Sequence, residues 1–317
     1  MSAGRHERGD GGRFRRQQSR FRDWVTADGS SGFPAEPGRY HLYVSLACPW
    51  AHRAVIVRML KGLEDVVGMS VVDPIRDERG WAFRDVPGAT PDRVNGWSYL
   101  SEAYGASDPS FGGRVSVPVL WDTRTRRIVS NESADIAVML NEAWDEWAGN
   151  PALDLYPREL RDEIDELNAL VYDTVNNGVY KAGFATTQEA YEEAVHPLFE
   201  TLDRLESRLA ERRHLFGDAP TLADWRLFTT LVRFDAVYVT HFKCNLRRVR
   251  DYPNLSGYLR DLYAVSGVAA TVDFDHIKRH YYMTHPGINP SRIVPVGPVV
   301  DLTAPHGREA LAARAAG

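Results

Sequence analysis

Cysteine is scarce in this chain, and a long apolar run is missing altogether. Cys48 and Cys244 are the only two cysteines in 317 residues. That is too few for a disulfide framework, and it points to a reducing, cytoplasmic setting in which a thiol can be kept for reactivity. No stretch approaches the roughly 20 apolar residues of a membrane span, so no membrane role is expected. Nor is there a block of like charge: the formal net charge is −5 with 26% charged residues, which leaves no footprint for nucleic acid. The stretch Met1–Arg22 lacks the apolar centre of a secretory signal. Its arginines would suit a mitochondrial address, but Glu7, Asp10 and Asp23 count against that. The basic stretch 13–22 reads instead as a mobile or surface-wrapped arm. No internal repeat is visible.

What is present is an ordinary globular composition, 44% hydrophobic, with a length that suggests about two domains. Residues 39–46 are rich in β-formers with a period-two trend and read as a strand. After a short Ala-Cys-Pro turn, residues 50–60 carry Ala54, Val55, Val57, Met59 and Leu60, a buried helix that stops near Gly62. Residues 66–72 read as a second strand. The stretch 73–113 mixes Gly, Pro, Asp and aromatic residues without periodicity, and irregular segments of that length are usually functional or wrapped onto something. Residues 115–121 and 127–130 form a hairpin-like pair, and 131–140 a helix opened by Ser130 or Asn131 with acids in its first turn. The order strand, helix, strand, insertion, strand, strand, helix predicts a small α/β domain over 39–145. From Pro157 onward strand signals mostly vanish. Val195, Leu198, Phe199, Leu202, Leu205 and Leu209 form one helical stripe. Thr221 and Asp224 have the spacing of a capping box, with Pro220 and Trp225 as its staple. An all-helical domain is therefore expected over 155–280, with an N-terminal arm over 1–38 and an extended tail over 281–317.

Cys48 carries the chemistry. Cys48-Pro49-Trp50-Ala51-His52-Arg53 lies between a strand and a helix. A sulfur there meets unpaired N–H groups and the positive end of the helix dipole, and both favour thiolate. Pro49 suits the first helical position, having no N–H to leave unsatisfied. Ala51 stands where a second cysteine would make a self-resolving dithiol, so the site is monothiol and needs an outside thiol to turn over. The competing reading is that Cys48 is simply a small buried hydrophobe. His52 and Arg53 either tune the thiolate or lie on a solvated helix face.

Several further elements occur in order: Gly80-Trp81-Ala82-Phe83, Gly88-Ala89-Thr90-Pro91-Asp92, residues 113–122 and Ser130-Asn131-Glu132-Ser133-Ala134-Asp135-Ile136. His280-Tyr281-Tyr282 and His285-Pro286-Gly287-Ile288-Asn289-Pro290 follow, then Ile293-Val294-Pro295-Val296-Gly297-Pro298. With the Cys48 motif this series resembles the Xi-class glutathione transferases, the glutathionyl-hydroquinone reductases, over about residues 24–298. The resemblance implies a thioredoxin-like domain followed by an all-helical one, α/β plus all-α with extended arms. It also implies glutathione as co-substrate with no bound cofactor and no metal, and a homodimer.

Glutathione carries two carboxylates, an ammonium and a peptide backbone. Arg114, Val115, Ser116 and Val117, ahead of Pro118, can offer charge and free backbone; Pro118 cannot donate to a ladder and marks an edge or bend. By resemblance Pro118 is cis, Val117 pairs with the cysteinyl part of the ligand and Arg114 helps to bind it. Glu132 and Ser133, at a helix start, suit the γ-glutamyl end, although such a motif alone is only a well-capped helix. Trp81 packs on the ligand by resemblance; a lone loop Trp is more often a core anchor. For the quinol ring the resemblance assigns Tyr180 as proton donor and acceptor, with Tyr238 and Tyr281 tuning it, although three among 14 tyrosines mean little by themselves. Cys244 has no assigned role. The expected cycle reduces a glutathionyl-hydroquinone through a Cys48–glutathione mixed disulfide. The alternatives are an omega-like thioltransferase or dehydroascorbate reductase, and a non-catalytic binding module of the same shape.

Overall fold

The computed structural model describes residues 9–314; residues 1–8, Glu7 among them, and 315–317 lie outside the described residues. The elements begin with β1 (Tyr40–Val44), α1 (Pro49–Leu60), β2 (Gly68–Val71), α2 (Ser101–Ser107), β3 (Val119–Asp122), β4 (Arg127–Ser130) and α3 (Ser133–Glu142). Next come α4 (Arg161–Val171), α5 (Gly178–Phe184), α6 (Gln188–Leu209), α7 (Leu222–Arg233) and α8 (Val239–His241). The last are α9 (Pro253–Ala264), α10 (Phe274–Thr284) and α11 (Glu309–Arg314). Two compact units result. Among the described residues, the first holds 17–154 and 270–284, and the second holds 9–16, 155–269 and 285–314.

The first unit is built on a four-stranded sheet of order β2-β1-β3-β4. β1 runs parallel to β2 and antiparallel to β3, and β3 is antiparallel to β4. All five residues of β1 are buried, as expected of an interior strand with both faces covered. α1 packs on α3 and ends at Gly62, whose φ of +65° is the left-handed turn that closes a helix. A Cβ there would lie 2.9 Å from the Cα of Gly149, so the close approach also requires glycine.

Three features depart from the sequence reading. β3 begins at Val119, not Val115, because the preceding N–H groups are taken by side chains: Arg114 N donates to Gln17 Oε1 (2.8 Å) and Ser116 N to Tyr104 Oη (3.1 Å). Of the two readings left open for Pro118, the bend holds, because β3 is an interior strand and Pro118 stands just before it. The stretch 73–113 contains α2, whose entry is fixed by the Glu102 carboxylate accepting from Ser98 N and Tyr99 N, each 2.9 Å. Finally, helix α10 continues to Thr284, so Tyr281 is helical and does not open the extended tail. Pro286 restricts the residue before it and ends the helix there.

α10 belongs to the first unit. It is fastened to the insertion by His280 Nδ1, 2.7 Å from Pro74 O, and His276 Nε2, 3.5 Å from Pro87 O. The arm wraps the surface: Asp23 N donates to Val129 O (3.0 Å) and Asn131 N to Phe21 O (3.1 Å), covering the outer edge of β4.

In the second unit Val195, Leu198, Phe199, Leu202, Leu205 and Leu209 of α6 are all buried, and the capping box of Thr221 and Asp224 opens α7. π-helical turns at Tyr172–Asn176 and Phe234–Tyr238 interrupt the helical run. Such turns add a residue to the spacing and often occur at functional positions. The tail is pinned by buried Arg308, which donates to Leu209 O (2.8 Å) and Arg213 O (3.0 Å) and also meets Arg212 O. The fold is thus a thioredoxin-like α/β unit and an all-helical unit.

Candidate active site

Cys48 is the N-cap of α1, with an extended backbone (φ −82°, ψ 120°) and Pro49 following it in the first turn. Its N–H donates to Ser45 O and its carbonyl accepts from His52 N, each 3.0 Å, so the first turn is formed around it. No acidic residue stands in that turn to offset the positive helix end. The residue is partly exposed. Its Sγ lies 3.6 Å from Val117 O, the carbonyl preceding the cis peptide bond to Pro118.

Val117 is set by its neighbours. Tyr104 Oη donates to Ser116 O (2.8 Å) and accepts from Ser116 N (3.1 Å), while Asn131 Nδ2 donates to Tyr104 Oη (3.1 Å). Gln17 brackets Arg114, accepting from its N–H at 2.8 Å and donating to its carbonyl at 3.4 Å; Val115 lies between these two anchored residues. Glu132 is the N-cap of α3: Oε1 accepts from Ala134 N (3.2 Å), and Oε2 accepts from Ser19 Oγ (2.9 Å). Ser133 is buried, and its Oγ lies 3.4 Å from Arg53 Nη1. A carboxylate beside a helix N-terminus and a bracketed backbone stretch together suit a ligand bearing both an ammonium and a peptide chain.

The two residues left open beside the cysteine do not lie on a solvated face. His52 is buried with Nε2 2.7 Å from Thr271 Oγ1. Arg53 is buried with its guanidinium 4.5 Å above the Trp50 ring. Trp81 is also buried, 4% exposed: it stacks on His280 at 4.9 Å, with the Arg76 guanidinium 5.0 Å from its ring. Tyr281 meets His280 edge-on at 5.3 Å, so Trp81, His280 and Tyr281 form one packed group.

In the second unit Tyr180 and Tyr238 are neighbours, with ring centroids 6.2 Å apart. Phe242 is 5.4 Å from Tyr180 and lies nearly parallel to Tyr238 at 5.5 Å. Phe14 and Phe184 stack on Tyr180 at 6.4 and 6.3 Å. Cys244 is buried, and burial pushes its thiol well above the usual range. Among the described residues no cluster of three or more His, Cys, Asp or Glu is placed to hold a metal ion.

Sequence reasoning missed Gln17 and Ser19 of the arm, Tyr104 of α2, and Phe14, Arg16 and Phe242 around Tyr180. The arm carries no periodicity that could have pointed to them. Only the aromatic character of Phe14, Tyr104 and Phe242 was a signal.

Residues 47–143 match the family model described as the glutathione S-transferase N-terminal domain, and residues 188–261 that of the C-terminal domain. The chain is 56% identical to the glutathionyl-hydroquinone reductase YqjG of Escherichia coli K12 over 94% of this chain and 93% of that one. The glutathione-bound structure of YqjG superposes with a TM-score of 0.88, covering 91% of this chain and 96% of that one. Identity to the glutathionyl-hydroquinone reductase PcpF of Sphingobium chlorophenolicum is 54%, over 92% of both chains. A Xi-class enzyme from Natrialba magadii has 50% identity and a TM-score of 0.91, covering 95% and 96%. The chain therefore belongs to the glutathione S-transferase family, in the Xi class that includes the glutathionyl-hydroquinone reductases.

Proposed function

We propose that this enzyme reduces glutathionyl-hydroquinones to hydroquinones at the expense of glutathione. The observation that carries the reading is the Cys48 sulfur, borne by the N-cap residue of α1 and 3.6 Å from the carbonyl before Pro118. The 56% identity to a glutathionyl-hydroquinone reductase, itself solved with glutathione bound, supports it.

In the first step the Cys48 thiolate attacks the thioether sulfur. The ring-carbon–sulfur bond breaks, its electron pair stays on the ring, and a proton from Tyr180 completes the new C–H bond. Hydroquinone leaves, and Cys48 remains as a mixed disulfide with glutathione. In the second step an incoming glutathione gives up its thiol proton, which restores Tyr180, and its thiolate attacks that disulfide, releasing oxidised glutathione and regenerating the Cys48 thiolate. The two sulfurs are oxidised and the ring carbon is reduced, so no further redox partner is needed.

Val117 would offer backbone to the cysteinyl part of glutathione, with Arg114, Val115 and Ser116 leading into it. Glu132 and Ser133 would take its γ-glutamyl end, and Trp81 would help to wall the site. Tyr238 and Tyr281 would tune Tyr180. We further place the enzyme in the cytoplasm as a homodimer. The two unpaired cysteines support that compartment.

Turnover of glutathionyl-menadiol tests this reading. Cys48→Ala should abolish hydroquinone release, by at least ~10³-fold, because the nucleophile is gone. A wild-type chain that reduced a small mixed disulfide but not glutathionyl-menadiol would instead be a general thioltransferase.

A further inference from the structure

The N-terminal arm has a part in the second unit that the reaction above does not use. Residues 11–16 lie along the entry to α6 and the face of α5. Gly12 O accepts from Thr186 N (3.0 Å) and Gly11 O from Thr187 Oγ1 (2.9 Å). Arg13 forms a two-pronged pair with Glu193, Nε to Oε2 at 2.7 Å and Nη2 to Oε1 at 2.6 Å. Phe14 is buried and stacks on Phe184 at 5.4 Å. These contacts fix Arg16. Its guanidinium carbon lies 4.5 Å from the centre of the Tyr180 ring, and its Nε donates to Asn177 Oδ1 at 2.8 Å. Asn177 is the residue whose carbonyl accepts from Tyr180 N (3.0 Å), so Arg16 is tied to the turn that presents the phenol.

We propose that Arg16 is a positioning residue for Tyr180: its cation, fixed over the ring face, favours the negative charge that the phenol acquires when it gives up a proton. A guanidinium on an aromatic face is attracted by the ring quadrupole, and that attraction grows when the ring becomes an anion. A conjugate base so stabilised makes the phenol a stronger general acid at neutral pH. The inference rests on the proposed role of Tyr180 as proton donor.

The other ionisable groups around this cluster do not duplicate the effect. Lys181, next in the chain, pairs with Asp173 at 2.5 Å. Tyr238 contributes an uncharged ring at 6.2 Å. His241 and His285 face one another at 3.1 Å beside Phe242 and Phe184. Burial, with Lys243 adding to it, holds His241 down to about 4, so it stays neutral across the pH range in which a phenol would be titrated.

Full-length chain labelled with 3-fluorotyrosine, with the Tyr180 resonance identified by its loss in Tyr180→Phe, is titrated by fluorine NMR as wild type, Arg16→Met and Arg16→Lys. The Tyr180 midpoint is expected at higher pH in Arg16→Met and close to wild type in Arg16→Lys. In parallel, Arg16→Met should lower kcat for glutathionyl-menadiol about tenfold, a part of the ~10²–10⁴-fold that a positioned acid contributes. It should leave reduction of a small mixed disulfide, which protonates no ring carbon, unchanged. An unmoved Tyr180 midpoint, or equal loss of both activities, would overturn the proposal. The NMR result stands whether or not the chain turns over glutathionyl-hydroquinones. Failure of the reductase reading, seen as a wild type without that turnover, is therefore told apart from failure of the Arg16 role.

Discussion

Glu132 has a place in the fold and, in the proposed function, a second one in the site. One of its carboxylate oxygens caps α3 through Ala134 N, and the other accepts from Ser19 Oγ in the arm. Glu132→Gln keeps the shape and an acceptor for the cap but removes the charge. A hydrogen bond to a charged group contributes about 1.5–3 kcal/mol. KM for glutathione should therefore rise about tenfold or more, with kcat nearly unchanged, since the γ-glutamyl ammonium is remote from the reacting sulfur. Steady-state kinetics with varied glutathione checks this, and an unchanged KM would remove Glu132 from the binding site. Arg53 and His52 teach the complementary lesson. Their spacing left tuning of the thiolate and a solvated helix face equally open; both side chains are buried against named partners, which removes the second, and nothing in the spacing could have revealed it.

At the scale of elements, the start of α7 depends on a single polar group. Asp224, fully buried, accepts from Thr221 N (2.7 Å), Thr221 Oγ1 (2.9 Å), Leu215 N (2.9 Å) and Tyr258 Oη (2.8 Å). Asp224→Ala would strand several buried donors at once and should cost about 3 kcal/mol, measured as a lower urea midpoint at unchanged slope. Asp224→Asn should cost less, and a loss under about 1 kcal/mol for the alanine variant would contradict this account. That box was legible because its meaning lies in four consecutive residues, as was the α6 stripe, which spans four turns of one period. Helix α2 was not legible. Seven residues with a glycine at 105 fall short of a periodic window, and the helix owes its start to a side chain reaching back to Ser98 and Tyr99. The onset of β3 was hidden for a related reason, since its first N–H groups are claimed by Gln17 and Tyr104, distant in sequence.

Across the whole molecule the first unit holds the Cys48 sulfur and its polar frame, and the second the tyrosine and phenylalanine cluster around Tyr180. Cys48 and Val117 are 69 residues apart in sequence, a separation that no local pattern spans, so their approach was not legible. The aromatic cluster was legible by resemblance at Tyr180 and Tyr238, and invisible at Phe14 and Arg16, because an arm without periodicity supplies them. The central claim is that one thiol takes glutathione from the substrate, and intact mass spectrometry after exposure to glutathionyl-menadiol without free glutathione tests it most directly. The account predicts one glutathione per chain, mapped to Cys48, released by added glutathione and absent in Cys48→Ser. Hydroquinone formed with no adduct on the protein, or an adduct on buried Cys244, would contradict it.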